Sequence, residues 1–470
     1  MPRCFALCLG AFFGLCLLKF GNPPILEKWV TQPVNVYEFI LGSPWPVAWA
    51  YGMLGLLLIC GLLIADWKVN MPLWILLLPI AWLLWECLAA ATTVKPELSQ
   101  PTVAHFFACV LCFYFGVFCL ADLRRTAWLF PGILCGFLIV VAVGWQQHFG
   151  GLEQTRRYFF LYLYPHLKQV PPEYVKKLTS TRIFSTLFYP NALAGTVLLL
   201  LPALLEFVWQ ARRLFTLAAR IFLVTTIGVA ALACLYWSGS KGGWLLMLIL
   251  GLIWLLHLPF DLRLKRALIA LVLVIGLAGF FVRYSGFFHK GATSVSARFD
   301  YWQAALHTTL AHPWFGTGPG TFAIAYQRVK RPESEMSRLV HNDYLEQASD
   351  SGVPGLLFYG GWIVSVLILT APRSSFFRNQ GGPMDTKKSK AVDGAGSTRT
   401  ESPQPNEPGT GFGAQLGFAL WLGMLGWALQ GLLEFGLYLP ALAWPAFTFM
   451  GLLLAASARP DSVRSPAFKR

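Results

Sequence analysis

The sequence predicts an all-α, polytopic membrane protein with about twelve transmembrane helices and a large helical loop on its outer side. Hydrophobic residues make up 56% of the chain and charged residues only 13%, whereas a soluble domain carries roughly a quarter charged residues. Apolar runs of about twenty residues recur along the chain, and this length crosses a bilayer as a helix. The predicted spans are 4–20, 46–65, 72–92, 101–121, 127–148, 186–209, 216–237, 243–260, 267–283, 353–371, 414–434 and 438–457.

Basic residues in the short loops predict the orientation of these spans. Clusters of Lys and Arg fall in alternate short loops and in the C-terminal tail, and short basic loops stay on the cytoplasmic side. Both termini are therefore predicted inside, and the long loops 149–185 and 284–352 outside. The formal charge of +15 is explained by topology and does not predict nucleic-acid binding. The clusters are Arg124-Arg125, Arg212-Arg213 with Arg220, Arg263 with Lys265-Arg266, and the basic tail.

Composition divides the chain into four predicted segments. Residues 1–371 form the main transmembrane region with its two long outer loops. Residues 372–413 are rich in Gly, Pro, Ser, Thr and Lys, a composition typical of a disordered linker, here on the cytoplasmic side. Residues 414–457 hold the last two spans, and residues 458–470 form a basic cytoplasmic tail.

Neither the N-terminus nor the cysteines predict covalent processing. The first apolar run lacks a convincing small-x-small cleavage site, so it is predicted to be an uncleaved first helix. All ten cysteines fall in or beside apolar runs. This distribution favours helix packing over a disulfide framework or a thiolate metal site.

The two long outer loops are themselves basic. Long loops cross the membrane largely regardless of charge, so their basic residues need another explanation. An anionic ligand at the outer membrane surface would supply one. The residues are Arg156, Arg157, Lys168, Lys176, Lys177 and Arg182 in the first loop, and Arg298, Arg328, Lys330, Arg331 and Arg338 in the second.

His341 is the strongest catalytic candidate. It opens the run His341-Asn-Asp-Tyr-Leu-Glu346, which predicts a short helix that ends near Gly352. On that helix His341 and Leu345 would share a face, with Asp343 turned elsewhere. A histidine titrates near ambient pH and is therefore suited to accept the proton of an attacking hydroxyl. The alternative is a histidine that caps the helix or binds a loop carbonyl.

Arg298 and Arg182 are candidates for binding a diphosphate, because a guanidinium binds phosphate oxygens bidentately. Arg298 lies on a predicted amphipathic helix over 295–311, where the alternatives are an interfacial arginine or a pair with Asp300. Arg182 precedes Pro190-Asn191, a break in an apolar run that offers polar groups to a cavity. Ordinary helix entry is the alternative there.

Lys241, in Trp237-Ser-Gly-Ser-Lys241-Gly-Gly, is a third possible phosphate contact. An interfacial lysine in a two-helix turn is the alternative. The Gly-rich run 316–320 is more typical of a tight turn than of a phosphate cradle.

Acidic residues also occur in predicted spans and could face a cavity, although two of them stand near helix ends, where they could reach the interface. These acids, Glu86, Glu206 and Glu434, do not predict a carboxylate-based hydrolase.

Four elements occur in an order that resembles the O-antigen ligase and O-antigen polymerase superfamily of bacterial envelope glycosyltransferases. The resemblance is densest between Arg182 and about Gly361. The elements are Arg182 through Pro190-Asn191-Ala-Leu-Ala; Trp237-Ser-Gly-Ser-Lys241-Gly-Gly; Arg298-Phe-Asp-Tyr-Trp with His312-Pro-Trp-Phe-Gly-Thr-Gly-Pro-Gly-Thr-Phe; and His341-Asn-Asp-Tyr-Leu-Glu through Gly352-Val-Pro-Gly355.

The resemblance implies a GT-C-like, inverting and metal-independent glycosyltransferase without a cofactor, in the bacterial inner membrane, with its active site facing the periplasm. It implies a glycan donor on undecaprenyl diphosphate. The acceptor would be a hydroxyl of lipid A-core in a ligase, a second lipid-linked repeat in a polymerase, or a protein Ser or Thr in an O-oligosaccharyltransferase. The slight preference is for a ligase, because no larger acceptor region for protein modification is evident.

The family's site residues match positions of this chain. His341 matches the catalytic histidine, and Arg298 and Arg182 match the arginines that engage the diphosphate. Lys241 departs from the family, which often has Ser-Arg-Gly where this chain has Ser-Lys241-Gly. Lysine keeps the positive charge of arginine but lacks its fork of donors, which weakens the case for a diphosphate contact at this position. Asn191, Asn342, Asp343 and Glu346 are expected to support the site. No metal ligand set is expected.

Two other classes of protein remain as alternatives. A polytopic transporter of a lipid or sugar would need charged residues along the helices, where few occur, and would not need His341 in a loop. An inactive scaffold of an envelope-assembly complex would tolerate loss of Arg182, Arg298 and His341. No internal repeat favours the transporter.

Overall fold

The computed structural model describes residues 1–40, 44–120, 126–164, 179–258, 260–289, 293–332, 334–372 and 410–458. Over these ranges the chain is helical and contains no β-strand, which confirms the predicted all-α class. The main helices are α1 (Pro2–Lys19), α2 (Val47–Leu62), α3 (Leu73–Ala91), α4 (Pro96–Tyr114), α5 (Phe130–Gln146), α6 (Pro190–Gln210), α7 (Leu217–Trp237), α8 (Lys241–His257), α9 (Leu262–His289), α10 (Thr293–Ala311), α11 (Phe322–Val329), α12 (Asp343–Leu369), α13 (Thr410–Gln430) and α14 (Pro440–Ser457).

Shorter helical turns connect several of these helices. They cover Pro24–Trp29, Val36–Ile40, Phe115–Cys119, Ala127–Leu129, Gln147–Gly151, Leu152–Tyr158, Phe159–Leu163 and Gly436–Tyr438.

Every predicted span contains a helix, which confirms a polytopic helical membrane protein. Among the described residues, nine helices are long and apolar enough to cross a membrane, and α2 and α8 are shorter apolar helices. The count of twelve spans therefore stays a prediction.

The helix predicted over 414–434 ends at Gln430, so Glu434 lies in the connection to α14. Several predicted features lie outside the described ranges: Arg124 and Arg125, Lys168, Lys176 and Lys177, the linker over 373–409, and the tail beyond 458.

The centre of the bundle is α14, which is almost entirely buried and packs against α1, α4 and α13. Its Trp444 and Phe447 are fully buried. On one side of it, α1 and α5 approach so closely that a Cβ on Gly14 would overlap the backbone of Gly132. Small residues at crossings allow such contact, which is how helices associate within a bilayer.

A second, smaller core lies in the segment between α9 and α12. Tyr301, Ala305, Phe322, Tyr326 and Val340 bury their side chains together. This core joins α10 and α11, so the segment predicted to be a large loop is helical over Thr293–Ala311 and Phe322–Val329. The amphipathic helix predicted over 295–311 is thereby confirmed.

The Gly-rich run 316–320 is a tight turn that packs against a kink in α12. The kink is at Gly352, whose φ of 75° and ψ of −175° interrupt the helix. Gly318 N donates to Asp350 O at 2.8 Å, and Gly320 N donates to the Asp350 carboxylate at 2.6 Å. Because these N–H groups are already bound, they are not available to cradle a phosphate. The role of this turn is to fix α10 and α11 to α12.

Candidate active site

His341 lies just before α12, not on it. The helix begins at Asp343, and its N-cap is Asn342, whose Oδ1 accepts hydrogen bonds from Tyr344 N and Leu345 N, both at 3.0 Å. The prediction that His341 opens the helix and shares a face with Leu345 is therefore wrong. The physical reason is that a short polar side chain caps a helix better than an imidazole. The alternative of a capping histidine fails for the same reason.

The backbone of His341 is left-handed, with φ of 57°. This conformation is uncommon for a residue with a Cβ, and such residues cluster at functional sites. The neighbouring contacts hold it in place. Val340 N donates to Glu346 Oε2 at 3.0 Å on one side, and the Asn342 cap follows on the other.

One ring nitrogen of His341 is held by Glu434. Nδ1 of His341 lies 3.0 Å from Oε2 of Glu434. The ring also packs edge-on against Phe435, with centroids 4.9 Å apart, and parallel to Tyr301 at 5.9 Å. The side chain keeps 27% of its surface exposed. The ring is thus fixed in orientation while part of it remains accessible to a substrate.

Glu434 connects His341 to two further polar side chains. Its Oε1 accepts hydrogen bonds from Arg298 Nη2 and from Asn191 Nδ2. Burial would raise the pKa of Glu434, but Arg298, the bond from His341 and the charge of Arg182 hold that pKa below its ordinary value. An ionised carboxylate only accepts hydrogen bonds, so Nδ1 of His341 carries a proton. In the neutral form of the ring, Nε2 then presents the lone pair.

Arg182 reaches the same site through Asn191. Arg182 Nη2 donates to Asn191 Oδ1 at 2.7 Å, and Arg182 Nε donates to Ser238 O at 2.7 Å. Asn191 therefore bridges Arg182 and Glu434 with both ends of its amide. Burial lowers the pKa of Arg182 and Glu434 raises it, while the positive charges of Arg298 and Arg283 lower it further. Arg182 is therefore part of this polar cluster.

Lys241 and Arg283 form a second pair of cations beside this cluster. Lys241 Nζ lies 5.3 Å from the ring centroid of Tyr284, and the Arg283 guanidinium lies 5.6 Å from it. Arg283 also packs 5.4 Å from the Tyr236 ring. Cations over aromatic faces are attracted by the negative face of the ring, which holds both side chains in place. Together with Arg182 and Arg298, this arrangement makes a positively charged region next to His341.

Asp343 and Glu346 are buried and bind backbone groups of the segments that carry His341 and Glu434. Asp343 N donates to Gly431 O at 2.7 Å, and Asp343 Oδ2 accepts from Leu437 N at 3.0 Å. These bonds tie the start of α12 to the 431–437 connection that carries Glu434. Glu346, fully buried, binds Val340 N as described above. Neither carboxylate touches His341 in the described contacts.

The interpretation of the sequence missed Glu434 and Arg283. The sequence indicates only that Glu434 is an acid near a helix end, and the polar-aromatic break Glu434-Phe-Gly-Leu-Tyr indicates that it leaves the helix. Its partners are 93 and 136 residues away in sequence, so no local pattern reveals them. The other candidate acids lie elsewhere: Glu86 accepts from Ser351 Oγ at 2.6 Å, and Glu206 binds Gln210.

Part of the chain that contributes to this site is similar to a known protein family. Residues 226–360 match the family model described as O-Antigen ligase. The matched segment contains Lys241, Arg298 and His341, and Glu434 lies beyond it. This match supports the resemblance of the chain to the O-antigen ligase and polymerase superfamily, whose members are ligases and polymerases of glycosyltransferase type.

One relative is a Haemophilus influenzae protein named "Uncharacterized protein". It is 31% identical over 166 residues, which cover 30% of this chain and 40% of the relative. The chain thus matches about two fifths of the length of that curated relative.

Proposed function

We propose that this protein transfers a glycan from undecaprenyl diphosphate to a hydroxyl of an acceptor, with lipid A-core as the preferred acceptor. The observation that supports this most strongly is the cluster in which Glu434 holds His341 and Arg298 while Asn191 links it to Arg182. It combines a positioned base with cations for a leaving diphosphate, and those are the two requirements of such a transfer.

His341 acts as the general base in this proposal. The acceptor hydroxyl gives its proton to Nε2 of His341 as its oxygen forms a bond to the anomeric carbon. Glu434, which accepts a hydrogen bond from Nδ1–H, stabilises the imidazolium that results. The bond between the anomeric carbon and the diphosphate oxygen breaks on the opposite side, so the anomeric configuration inverts.

The diphosphate leaves with its negative charge neutralised by the surrounding cations. Arg298 binds Glu434, and Arg182 binds Asn191 and Ser238. Each arginine uses only some of the five donors that a guanidinium carries for these bonds. Lys241 and Arg283 lie in the same positive region. Preorganised charges of this kind stabilise a developing anion in the transition state. With four cations at the site, the reaction does not require a divalent cation.

We place the protein in the bacterial inner membrane, with His341 on the periplasmic face. The orientation rests on the basic short loops, which would lie in the cytoplasm together with the 372–413 linker and the 458–470 tail. Periplasmic glycan transfer also needs a lipid-linked donor, because the donor must cross the membrane before use. A hydrophobic carrier fits a site built at the ends of apolar helices.

The proposal is tested in a host strain that lacks this protein. The strain is complemented with wild type, His341→Ala or Arg298→Ala, and with Arg328→Ala as a matched control on an exposed face of α11. Lipopolysaccharide is resolved on gels, lipid-linked glycan is quantified, and expression is checked by immunoblot. Wild type and Arg328→Ala are expected to restore long glycan on lipid A-core, and the other two variants to accumulate full-length lipid-linked chains.

Other outcomes separate the remaining functions. Single lipid-linked repeats in the His341→Ala strain would indicate a polymerase, and loss of glycan from a protein would indicate an O-oligosaccharyltransferase. Full complementation by both variants would contradict the proposed site and favour the transporter or scaffold.

A further inference from the structure

A cleft of about 310 Å³ lies between α10 and the segment that follows α11. Asp300, Gln303 and His307 line it from α10, and this spacing puts all three on one face of the helix. Arg331 and Ser334 line the opposite wall. The volume is in the range of small-molecule sites, which are about 300–1,000 Å³ and contain a few convergent polar groups.

Three lining side chains keep hydrogen-bonding capacity that the described residues do not use. The Gln303 amide, the His307 imidazole and the Arg331 guanidinium make no hydrogen bond to any described residue. Asp300 is anchored instead, because its Oδ2 accepts from Ser334 Oγ at 2.8 Å. Amide, imidazole and guanidinium groups are planar and direct their donors and acceptors along fixed axes.

The cleft is joined to the active site through aromatic rings. Tyr326 lines the cleft, and its ring packs edge-on against Tyr301, with centroids 5.3 Å apart. Tyr301 in turn packs against the His341 ring at 5.9 Å. The cleft is therefore two ring contacts from His341, and α10 presents Arg298 to one site and Gln303 to the other.

We propose that this cleft binds a saccharide unit of the glycan substrate, away from the sugar whose bond is made. The proposal rests on the proposed glycan transfer, since a glycan chain must continue from the reacting sugar across the surface of the protein. Sugar hydroxyls both donate and accept hydrogen bonds, which matches the mixture of Gln303, His307 and Arg331. Lys330 also lines the cleft and donates to Arg331 O and Ser334 O, and the Asp300 carboxylate lies in the same cleft. Because the lining carries both signs of charge, the test includes phosphate as a competitor.

The test measures binding separately from transfer. Full-length protein in lipid nanodiscs is titrated with oligosaccharide released by mild acid from the surface polysaccharide of the host. The cleft is altered by Gln303→Ala with His307→Ala on one wall, and independently by Arg331→Ala on the other. Gln327→Ala, on an exposed position of α11 outside the cleft, is the matched control. All variants are first checked for monodisperse elution.

We expect both cleft variants to weaken oligosaccharide binding about tenfold or more, since each removes one or more hydrogen bonds to the ligand. Gln327→Ala should bind as wild type does, and inorganic phosphate should not compete. Unchanged affinity in both cleft variants, or displacement of the oligosaccharide by phosphate, would overturn the proposal.

The two proposals fail in different ways. If the cleft variants bind normally while His341→Ala abolishes transfer in cells, the cleft assignment is wrong and the glycan-transfer function stands. If wild type binds oligosaccharide through the cleft but restores no glycan in cells, the cleft stands and the function fails.

Discussion

Nδ1 of His341 lies 3.0 Å from Oε2 of Glu434, although the two residues are 93 positions apart in the sequence. The contact joins the residue before α12 to the connection between α13 and α14. It fixes the tautomer of the imidazole, and the same carboxylate also holds Arg298. A single buried acid therefore positions both the proposed base and a proposed diphosphate ligand.

Glu434→Gln is expected to reduce glycan transfer by roughly a hundredfold or more, the scale of a lost general-base contribution. The glutamine amide is neutral and no longer stabilises a charged imidazolium. Its N–H can also donate to Nδ1 of His341, which favours the tautomer that carries its proton on Nε2. The measurement is the initial transfer rate of purified protein at saturating donor. Glu97→Gln, which changes an exposed glutamate, should leave the rate unchanged. A wild-type rate for Glu434→Gln would mean that His341 needs no acidic partner.

The stability contributed by Glu434 should depend on pH. Its pKa is lowered in the folded protein, so its ionised form stabilises the fold fully above the ordinary pKa of a glutamate. The contribution is lost as pH falls through the lowered folded value. Melting temperatures of wild type and Glu434→Gln are therefore expected to differ at neutral pH and to converge in acid. A difference that grows with acidification would contradict the ionised carboxylate.

Asn191→Leu should destabilise the protein by about 1–3 kcal/mol, because it leaves buried polar partners without their hydrogen bonds. Both Arg182 and Glu434 lose the amide that joins them. The readout is thermal unfolding in detergent, together with the transfer rate. If Asn191→Leu is as stable and as active as wild type, Arg182 is not coupled to the site through Asn191.

Lys241→Met is expected to raise the KM for the lipid-linked donor about tenfold, the equivalent of one charge-assisted contact. Lys241→Arg keeps the charge and restores the fork of donors, so it should bind donor at least as well as wild type. Steady-state kinetics with varied donor provide the measurement. An unchanged KM in Lys241→Met would show that Lys241 does not contribute to donor binding.

Gly352→Ala should destabilise the protein by about 1–3 kcal/mol, because the φ of 75° is strained for a residue with a side chain. Its Cβ would also meet the backbone of Pro313 and Trp314. Gly361→Ala on the same helix is the matched control, since its Cβ meets nothing within 4 Å. Equal melting temperatures for the two variants would show that the kink does not need glycine.

The sequence could predict the helices and much of the site, because both depend on local patterns. The length of the apolar runs predicts spans such as α6 and α7. The residue types around His341 and Arg298, and their order along the chain, mark these two residues as candidates. The start of α12 was misplaced by two residues, since Asn342 competes with His341 as the cap. The same local patterns also placed a tight turn over 316–320.

Glu434 could not be predicted as a site residue, because its role arises from packing. Nothing near it in sequence distinguishes an acid that reaches the interface from one that turns inward to His341. Only the arrangement of α12, α13 and α14 brings the 431–437 connection beside the residue before α12. Arg283 was missed for a similar reason, since it stands at the end of a predicted span and meets Tyr236 from another helix.

The central claim is that His341 activates an acceptor hydroxyl for glycan transfer from a lipid diphosphate. The most direct test mixes purified protein, undecaprenyl-diphosphate-linked glycan and lipid A-core, with and without a chelator of divalent cations. It follows both glycan on lipid A-core and released undecaprenyl diphosphate. We predict equal formation of the two products by wild type, unaffected by chelator, and almost none by His341→Ala. Transfer by His341→Ala at the wild-type rate would contradict the account.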